Sequence, residues 1–153
     1  MIRSGDHLKR HERRFGFAIM ALDCLLVETL QAFILGLPET TNRSKEMFVS
    51  FLGFTPSFAP PFTPDLAAVF YEDFRCGILH QAEVGRYSRV VSEGPLLETE
   101  NNGLVVNRTE FHHRLATEYS AYISDLQSAV HEELRTNFRK KMNFIARYVG
   151  DAA

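Results

Sequence analysis

The segment at residues 15–37 most constrains the fold, because it is apolar on nearly every side of a helix. Its hydrophobic residues recur at three- and four-residue intervals, the spacing typical of an α-helix. Three polar residues interrupt it: Asp23, Glu28 and Gln31. The apolar surface is wider than the single stripe of a surface helix. We therefore predict a helix over about residues 8–36, ended by Gly36 and Pro38, that either the rest of the chain or a partner chain must cover.

The composition indicates a soluble globular protein with one core. Hydrophobic residues make up 45% of the 153 positions and charged residues 24%, which favours a single domain over residues 1–153. The thirteen phenylalanines predict an aromatic core. The residues before Phe15 are charged and do not resemble a secretory signal. Because charges also interrupt residues 15–37, we expect a buried helix, no membrane contact and a cytoplasmic location.

Turn and cap signals predict two further helices in the first half of the chain. One helix is expected over about residues 44–52. Residues 54–62 contain three prolines and are expected to form an irregular loop. Thr63 and Pro64 then have the residue types of an N-cap and a first helical position. They predict a third helix that extends to about His80.

A small β-structure is predicted next, between about residues 86 and 106. Residues 87–91 are rich in β-branched and aromatic side chains, and Asn102 with Gly103 is a strong hairpin signal. We expect a β-hairpin or a three-stranded meander here.

After this insertion, the chain returns to helical periodicity. Asn107, followed three residues later by Glu110, resembles a capping box at the start of a long helix. A final helix follows it. The sequence therefore predicts an all-α bundle of four to five helices with a small β-hairpin insertion.

Arg75 and His80 are the residues most indicative of function. Histidine exchanges a proton near neutral pH, and a guanidinium binds phosphate and stabilises the charge that develops on it. The pair suits metal-independent attack of a ribose 2′-hydroxyl on an RNA phosphodiester. On an ideal helix, however, two side chains five residues apart point about 140° away from each other. Convergence is easier if His80 turns inward at the helix end, or if a twofold axis joins two such pairs.

The segment at residues 69–83, VFYEDFRCGILHQAE, resembles the signature helix of HEPN domains, which are helical bundles. The resemblance extends in order of elements to residues 25–30 and 107–112. HEPN proteins commonly dimerise with Arg-x(4 to 6)-His motifs facing each other, and many are metal-independent endoribonucleases in toxin or defence systems. The resemblance implies a homodimer without cofactor or metal, in a defence or stress context, with an antitoxin or operon partner. It assigns phosphate binding to Arg75 and acid–base catalysis to His80.

The same resemblance also fits a noncatalytic RNA-binding, nucleotide-binding or scaffold protein, because some HEPN proteins have no activity. Both the catalytic and the noncatalytic interpretation predict further residues that assist Arg75 and His80 or bind RNA. Glu28 is a candidate to position Arg75 through a carboxylate–guanidinium pair; the alternative is a polar-face residue at the edge of the bundle. The remaining candidates are Cys76, Arg108, His112 and His113, and Arg108 with His113 repeats the spacing of Arg75 with His80.

Other chemistries have weaker sequence support. Cys24 and Cys76 are expected to be buried thiols, although Cys76 and His80 have the spacing of a shared helix face and so of a thiolate–histidine pair. His7 and His11 have the spacing of helical metal ligands. Basic residues near both ends of the chain predict either an RNA-attracting surface or a solvated helix face: Arg10, Arg13, Arg14, Arg135, Arg139, Lys140, Lys141 and Arg147.

Overall fold

The computed structural model describes residues 15–81 and 83–150, which form helices and one small sheet. The described helices are α1 (Gly16–Leu35), α2 (Ser44–Phe54), α3 (residues 64–81), α4 (Arg108–Gln127) and α5 (Glu132–Gly150). The strands lie between α3 and α4, and they are β1 (Arg89–Val91), β2 (Leu97–Glu100) and β3 (Gly103–Asn107). A mostly helical fold with a small β insertion is therefore confirmed.

Helix α1 packs against α2, α4 and α5. It ends where predicted, with Gly36 in the left-handed conformation at φ 63°. Residues 8–14 of the predicted helix lie outside the described residues. One face of α1 is buried, but large apolar side chains on other faces are exposed: Phe15, Phe17, Leu22, Leu25 and Leu35. By length and composition alone, α1 is also apolar enough to cross a membrane, with 39% of the relevant window buried inside the fold.

The predicted aromatic core is present and joins α2, α3, α4 and the loop between α2 and α3. It contains seven fully buried phenylalanines: Phe48, Phe51, Phe58, Phe62, Phe70, Phe74 and Phe111. The rings of Phe70 and Phe74 stack with centroids 4.8 Å apart, and Phe70 also stacks on Phe111 of α4 at 5.1 Å. These contacts fix α3 against α4.

Helix α3 starts as predicted and then changes its geometry. The Thr63 hydroxyl accepts a hydrogen bond from the Leu66 amide at 3.2 Å, so Thr63 is the N-cap. The chain is α-helical over Pro64–Phe70, π-helical over Tyr71–Cys76 and α-helical again over Gly77–Gln81. No local sequence signal predicted the π-helical segment, which includes Arg75. π-Helical segments are rare in proteins, but those that do occur often lie at functional sites.

The β-hairpin is confirmed, but the meander was wrong. Strands β2 and β3 are antiparallel, joined by Asn101 and Asn102 with φ of 50° and 67°. The turn thus lies one residue before the predicted pair, and Gly103 opens β3. In a meander β1 would pair with β2. Instead β1 pairs in parallel with β3, which is the central strand.

Asn107 ends β3 and caps α4. Its Oδ1 accepts hydrogen bonds from the amides of Thr109 and Glu110, as predicted. The reciprocal half of the capping box was wrong, because the Asn107 amide donates instead to the Leu96 carbonyl at 3.0 Å. Glu110 pairs with Arg114 of the next helical turn. The position of Asn107 in the sheet therefore decides which bonds it makes.

Asp73 joins the π-helical segment to the sheet. The Ser88 hydroxyl donates to the Asp73 carboxylate, and the Leu104 amide of β3 donates to the same hydroxyl at 2.9 Å. The Gly85 amide donates to the Asp73 carbonyl at 2.9 Å. The β insertion thus holds the end of α3 in place.

Candidate functional site

Arg75 lies between α3 and α1, where it pairs with Glu28. Its Nη2 is 3.2 Å from Oε2 of Glu28, and the two side chains are only 20% and 14% exposed. The guanidinium also lies over the Tyr71 ring, 5.5 Å from the centroid. Of the two alternatives that the sequence left open for Glu28, the structure shows the pair with Arg75.

Glu28 connects three segments of the chain. Its Oε1 accepts hydrogen bonds from Thr40 at 2.8 Å and Ser44 at 2.6 Å. Burial raises the pKa of Glu28, but these hydrogen bonds and the charge of Arg75 outweigh burial and hold the pKa below its ordinary value. Glu28 is therefore a carboxylate that fixes Arg75 in position.

The same pairing secures the charge of Arg75. Burial lowers the pKa of Arg75, but the negative charge of Glu28 and the neighbouring Tyr71 outweigh burial and raise it. The buried Nε of Arg75 has no hydrogen-bond partner among the described residues. Arg75 is thus a fixed cation at the α1–α3 boundary.

His80 is exposed in the last turn of α3. Within the part of the chain that the structure describes, no hydrogen bond or ion pair joins it to Arg75. The large angle predicted between the two side chains agrees with this separation. One chain therefore does not assemble Arg75 and His80 into a contacting pair.

The two cysteines differ in environment. Cys24 is 1% exposed, and burial, followed by the charge of Asp23, raises the pKa of its thiol to about 12. Cys76 is partly exposed, so the expectation that it is buried was wrong. It follows Arg75 at the end of the π-helical segment. The described contacts include no hydrogen bond between Cys76 and His80.

A second polar contact, which sequence reasoning missed, lies between α1 and α4. Nδ1 of His112 is 2.8 Å from Oδ1 of Asp23; the Asp23 side chain is 4% exposed and the His112 side chain 61%. Burial raises the pKa of Asp23, and the contact with His112 opposes this only in part. An acidic residue inside the most apolar helix was the available signal, because such a group needs a partner.

No described contact joins Arg108 to His113. Arg108 is 8% exposed and packs against Gly16, where a Cβ atom would lie 3.1 Å from its Nε. His113 is exposed beside Ser57 and Thr117. Arg108 instead shares a helix face with His112, four residues along α4. The described contacts therefore join neither of the two arginine–histidine pairs that have this spacing.

The basic residues of α5 do not form one free cationic surface. Arg135 donates to the carbonyls of Ser128 and Ala129, and Lys141 donates to the Pro38 carbonyl at 2.5 Å. Arg139, Lys140 and Arg147 are exposed. Arg10, Arg13 and Arg14 lie outside the described residues.

Across residues 15–81 and 83–150, no group of three or more His, Cys, Asp and Glu side chains is arranged to hold a metal ion. The candidate ligands His7 and His11 lie outside these ranges. Comparison with protein-family models, curated proteins and solved structures finds no match to this chain.

Proposed function

We propose that this protein is a metal-independent endoribonuclease of the HEPN type, with Arg75 and His80 as its catalytic residues. The observation that best supports this proposal is the Glu28–Arg75 pair, because it holds a charged guanidinium in one place on the helix that also contains His80. By the same resemblance, the protein acts in the cytoplasm in defence or stress and has an antitoxin or operon partner.

The chemistry needs a proton-transfer group and a fixed positive charge. The ribose 2′-oxygen attacks phosphorus, a P–O2′ bond forms, and the bond from phosphorus to the 5′-oxygen breaks. His80 accepts the 2′-hydroxyl proton or donates a proton to the leaving 5′-oxygen. Arg75 stabilises the charge on the non-bridging oxygens. The products are a 2′,3′-cyclic phosphate and a 5′-hydroxyl.

A homodimer would supply the groups that one chain does not assemble. Two copies related by a twofold axis present two Arg75 and two His80 side chains, so that one histidine acts as base and the other as acid. The uncovered face of α1, which includes Leu22 and Leu25, is an apolar surface for such an interface.

The test is incubation of a mixed RNA pool with the protein in EDTA, with analysis of fragment ends. We expect 2′,3′-cyclic phosphate ends with wild type, and at least about a hundredfold slower cleavage with His80→Ala and with Arg75→Gln. The matched control is His131→Gln, which removes an exposed histidine paired with Asp125 at 3.5 Å. Circular dichroism checks that each variant folds.

Cleavage that EDTA abolishes, or that His80→Ala retains in full, would overturn the proposed mechanism. Intact RNA that nevertheless binds the protein would favour the noncatalytic RNA- or nucleotide-binding alternative. One observation supports that alternative: Arg75 is 20% exposed and already pairs with Glu28, so a phosphate must compete for the guanidinium.

A further inference from the structure

We propose that the outer face of α5 binds the phosphate backbone of RNA through a row of three cationic side chains. These are Arg139, Lys140 and Arg147, here called the α5 stripe. The role of the stripe rests on the function proposed above, in which RNA is the substrate or ligand. The stripe is a further binding surface on α5, whereas Arg75 and His80 lie on α3.

The geometry of α5 places the three cations on one exposed face. At about 100° per residue, Lys140 lies about 100° and Arg147 about 80° from Arg139 around the helix axis. All three side chains are exposed. The stripe extends about 12 Å along the axis, and a helical nucleic-acid strand carries a phosphate about every 3.4 Å. The stripe is therefore long enough to meet about three phosphates of one strand.

The charges of the α5 stripe are not neutralised by neighbouring groups. Among the described residues, none of its three side chains has a hydrogen-bond or ion-pair partner. The other two cations of α5 differ, because Arg135 and Lys141 donate to backbone carbonyls. Residues 134–150 contain five cationic side chains and no acidic one. Most of α5 is thus a region of positive charge on a chain whose net charge is −2.

The opposite face of α5 packs on α1, which favours RNA over a membrane as the partner. Phe138 lies about 150° from the middle of the stripe. Its ring contacts Phe33 with centroids 5.5 Å apart, and the Asn137 amide donates to the Ile34 carbonyl at 2.8 Å. An amphipathic helix binds a membrane by burying its apolar face in lipid, whereas at Phe138 the apolar face of α5 is engaged with α1. Phosphates can reach the stripe without any change in this packing.

Fluorescence anisotropy of the full chain with a labelled single-stranded 2′-O-methyl RNA in EDTA tests this proposal, because an oligonucleotide without a free 2′-hydroxyl is not cleaved. The stripe variant combines Arg139→Gln, Lys140→Gln and Arg147→Gln. We expect its affinity in about 0.1 M salt to be roughly tenfold to a hundredfold lower than that of wild type. The slope of log affinity against log salt concentration should become shallower by about 2, since each phosphate contact on a single strand contributes about 0.7.

The matched control combines Arg43→Gln, Lys45→Gln and Arg89→Gln. It removes the same number of positive charges, but each of these three cations is already paired with a glutamate. We therefore expect the control variant to bind the RNA with nearly the affinity and salt dependence of wild type. Circular dichroism checks that both variants fold.

Equal loss of affinity in the stripe variant and the control would overturn the proposal, because overall charge alone would then explain the effect. A wild type that does not bind the RNA at micromolar concentrations overturns it as well. Unchanged RNA affinity in the stripe variant, together with stripe-dependent binding to vesicles of phosphatidylserine and phosphatidylcholine, would overturn it in favour of a membrane surface.

The binding measurement separates the stripe from the ribonuclease proposal, since it involves no cleavage. Reduced affinity in the stripe variant supports the stripe even if wild type cleaves no RNA. Cleavage by a wild type whose RNA affinity does not depend on the stripe refutes the stripe alone.

Discussion

At the scale of single residues, the two acidic side chains of α1 each make a contact with another helix. Glu28 binds the Arg75 guanidinium of α3, and Asp23 binds the His112 imidazole of α4. Each joins α1 to a different helix and fixes the position of a basic side chain there. The two pKa values shift in opposite directions, because Glu28 accepts three hydrogen bonds whereas Asp23 has one described partner.

Replacing Glu28 with glutamine should reduce stability. The variant leaves Arg75 partly buried without its counter-charge, so we expect the free energy of unfolding at pH 7 to fall by roughly 1–3 kcal/mol. Chemical denaturation measures the change. The control is Glu46→Gln, which breaks the exposed Arg43–Glu46 pair and should have no measurable effect. Equal losses in both variants would show that burial of the Glu28 pair is unimportant.

The stability difference between wild type and Glu28→Gln should also depend on pH. The pKa of Glu28 is lower in the folded chain than its ordinary value of 4.5. As pH falls, Glu28 therefore takes up its proton in the unfolded chain before it does so in the folded chain. The stabilisation that Glu28 contributes is fully present above pH 4.5 and is lost as pH falls from 4.5 to below the folded-state pKa. The stability difference between wild type and Glu28→Gln should shrink in that range. A difference that stays constant from pH 7 to acid would contradict the assignment.

At the scale of elements, α3 depends on what packs against it. The β insertion holds the end of α3 through the hydrogen bond from Ser88 to Asp73. Gly77 packs closely against the backbone of the turn that follows α3. A Cβ atom at Gly77 would lie 2.5 Å from the Glu83 carbonyl oxygen. Glycine there allows the chain to turn back closely after His80.

The Gly77→Ala variant shows whether helix propensity or packing has the larger effect on stability at this position, because the two predict opposite changes. Helix propensity alone predicts that alanine stabilises the helix by about 1 kcal/mol. The clash with the Glu83 backbone predicts the opposite, a loss of roughly 1–3 kcal/mol in the free energy of unfolding. Thermal or denaturant unfolding decides between them, with the exposed Ser120→Ala in α4 as a control for propensity. A more stable Gly77→Ala would show that the turn does not constrain α3.

At the scale of the whole molecule, the uncovered face of α1 is the main feature that one chain leaves unexplained. Leu22 is 65% exposed and Leu25 59%, in a helix whose opposite face lies in the core. Exposed leucines on a core helix form the type of surface that a partner covers. The proposed homodimer would use this face.

Leu22→Glu combined with Leu25→Glu should convert the proposed dimer into a monomer, because each new carboxylate would be buried at the interface. The fold should persist, since both positions are exposed in the single chain. Sedimentation velocity at several concentrations measures the change. Phe54→Glu, at an apolar residue that is 71% exposed on α2, serves as the matched control. A wild type that remains monomeric at high concentration would refute the dimer.

The sequence by itself predicted where the helices lie, three of their ends and the hairpin, because those depend on residues a few positions apart. Thr63, Asn107 and Gly36 each end or begin a helix where their local chemistry predicts. The pairing of Glu28 with Arg75 was one of two alternatives that the sequence left open for Glu28, and the structure shows that pair.

Only the tertiary structure decided the π-helical geometry around Arg75, the parallel pairing of β1 with β3, and the contact of Asp23 with His112. Asp23 and His112 are 89 residues apart in the chain. The physical reason is that each of these features depends on which surfaces pack together. Helical period and turn chemistry specify an element and its buried face, whereas the partner of that face is set by the packing of the whole core.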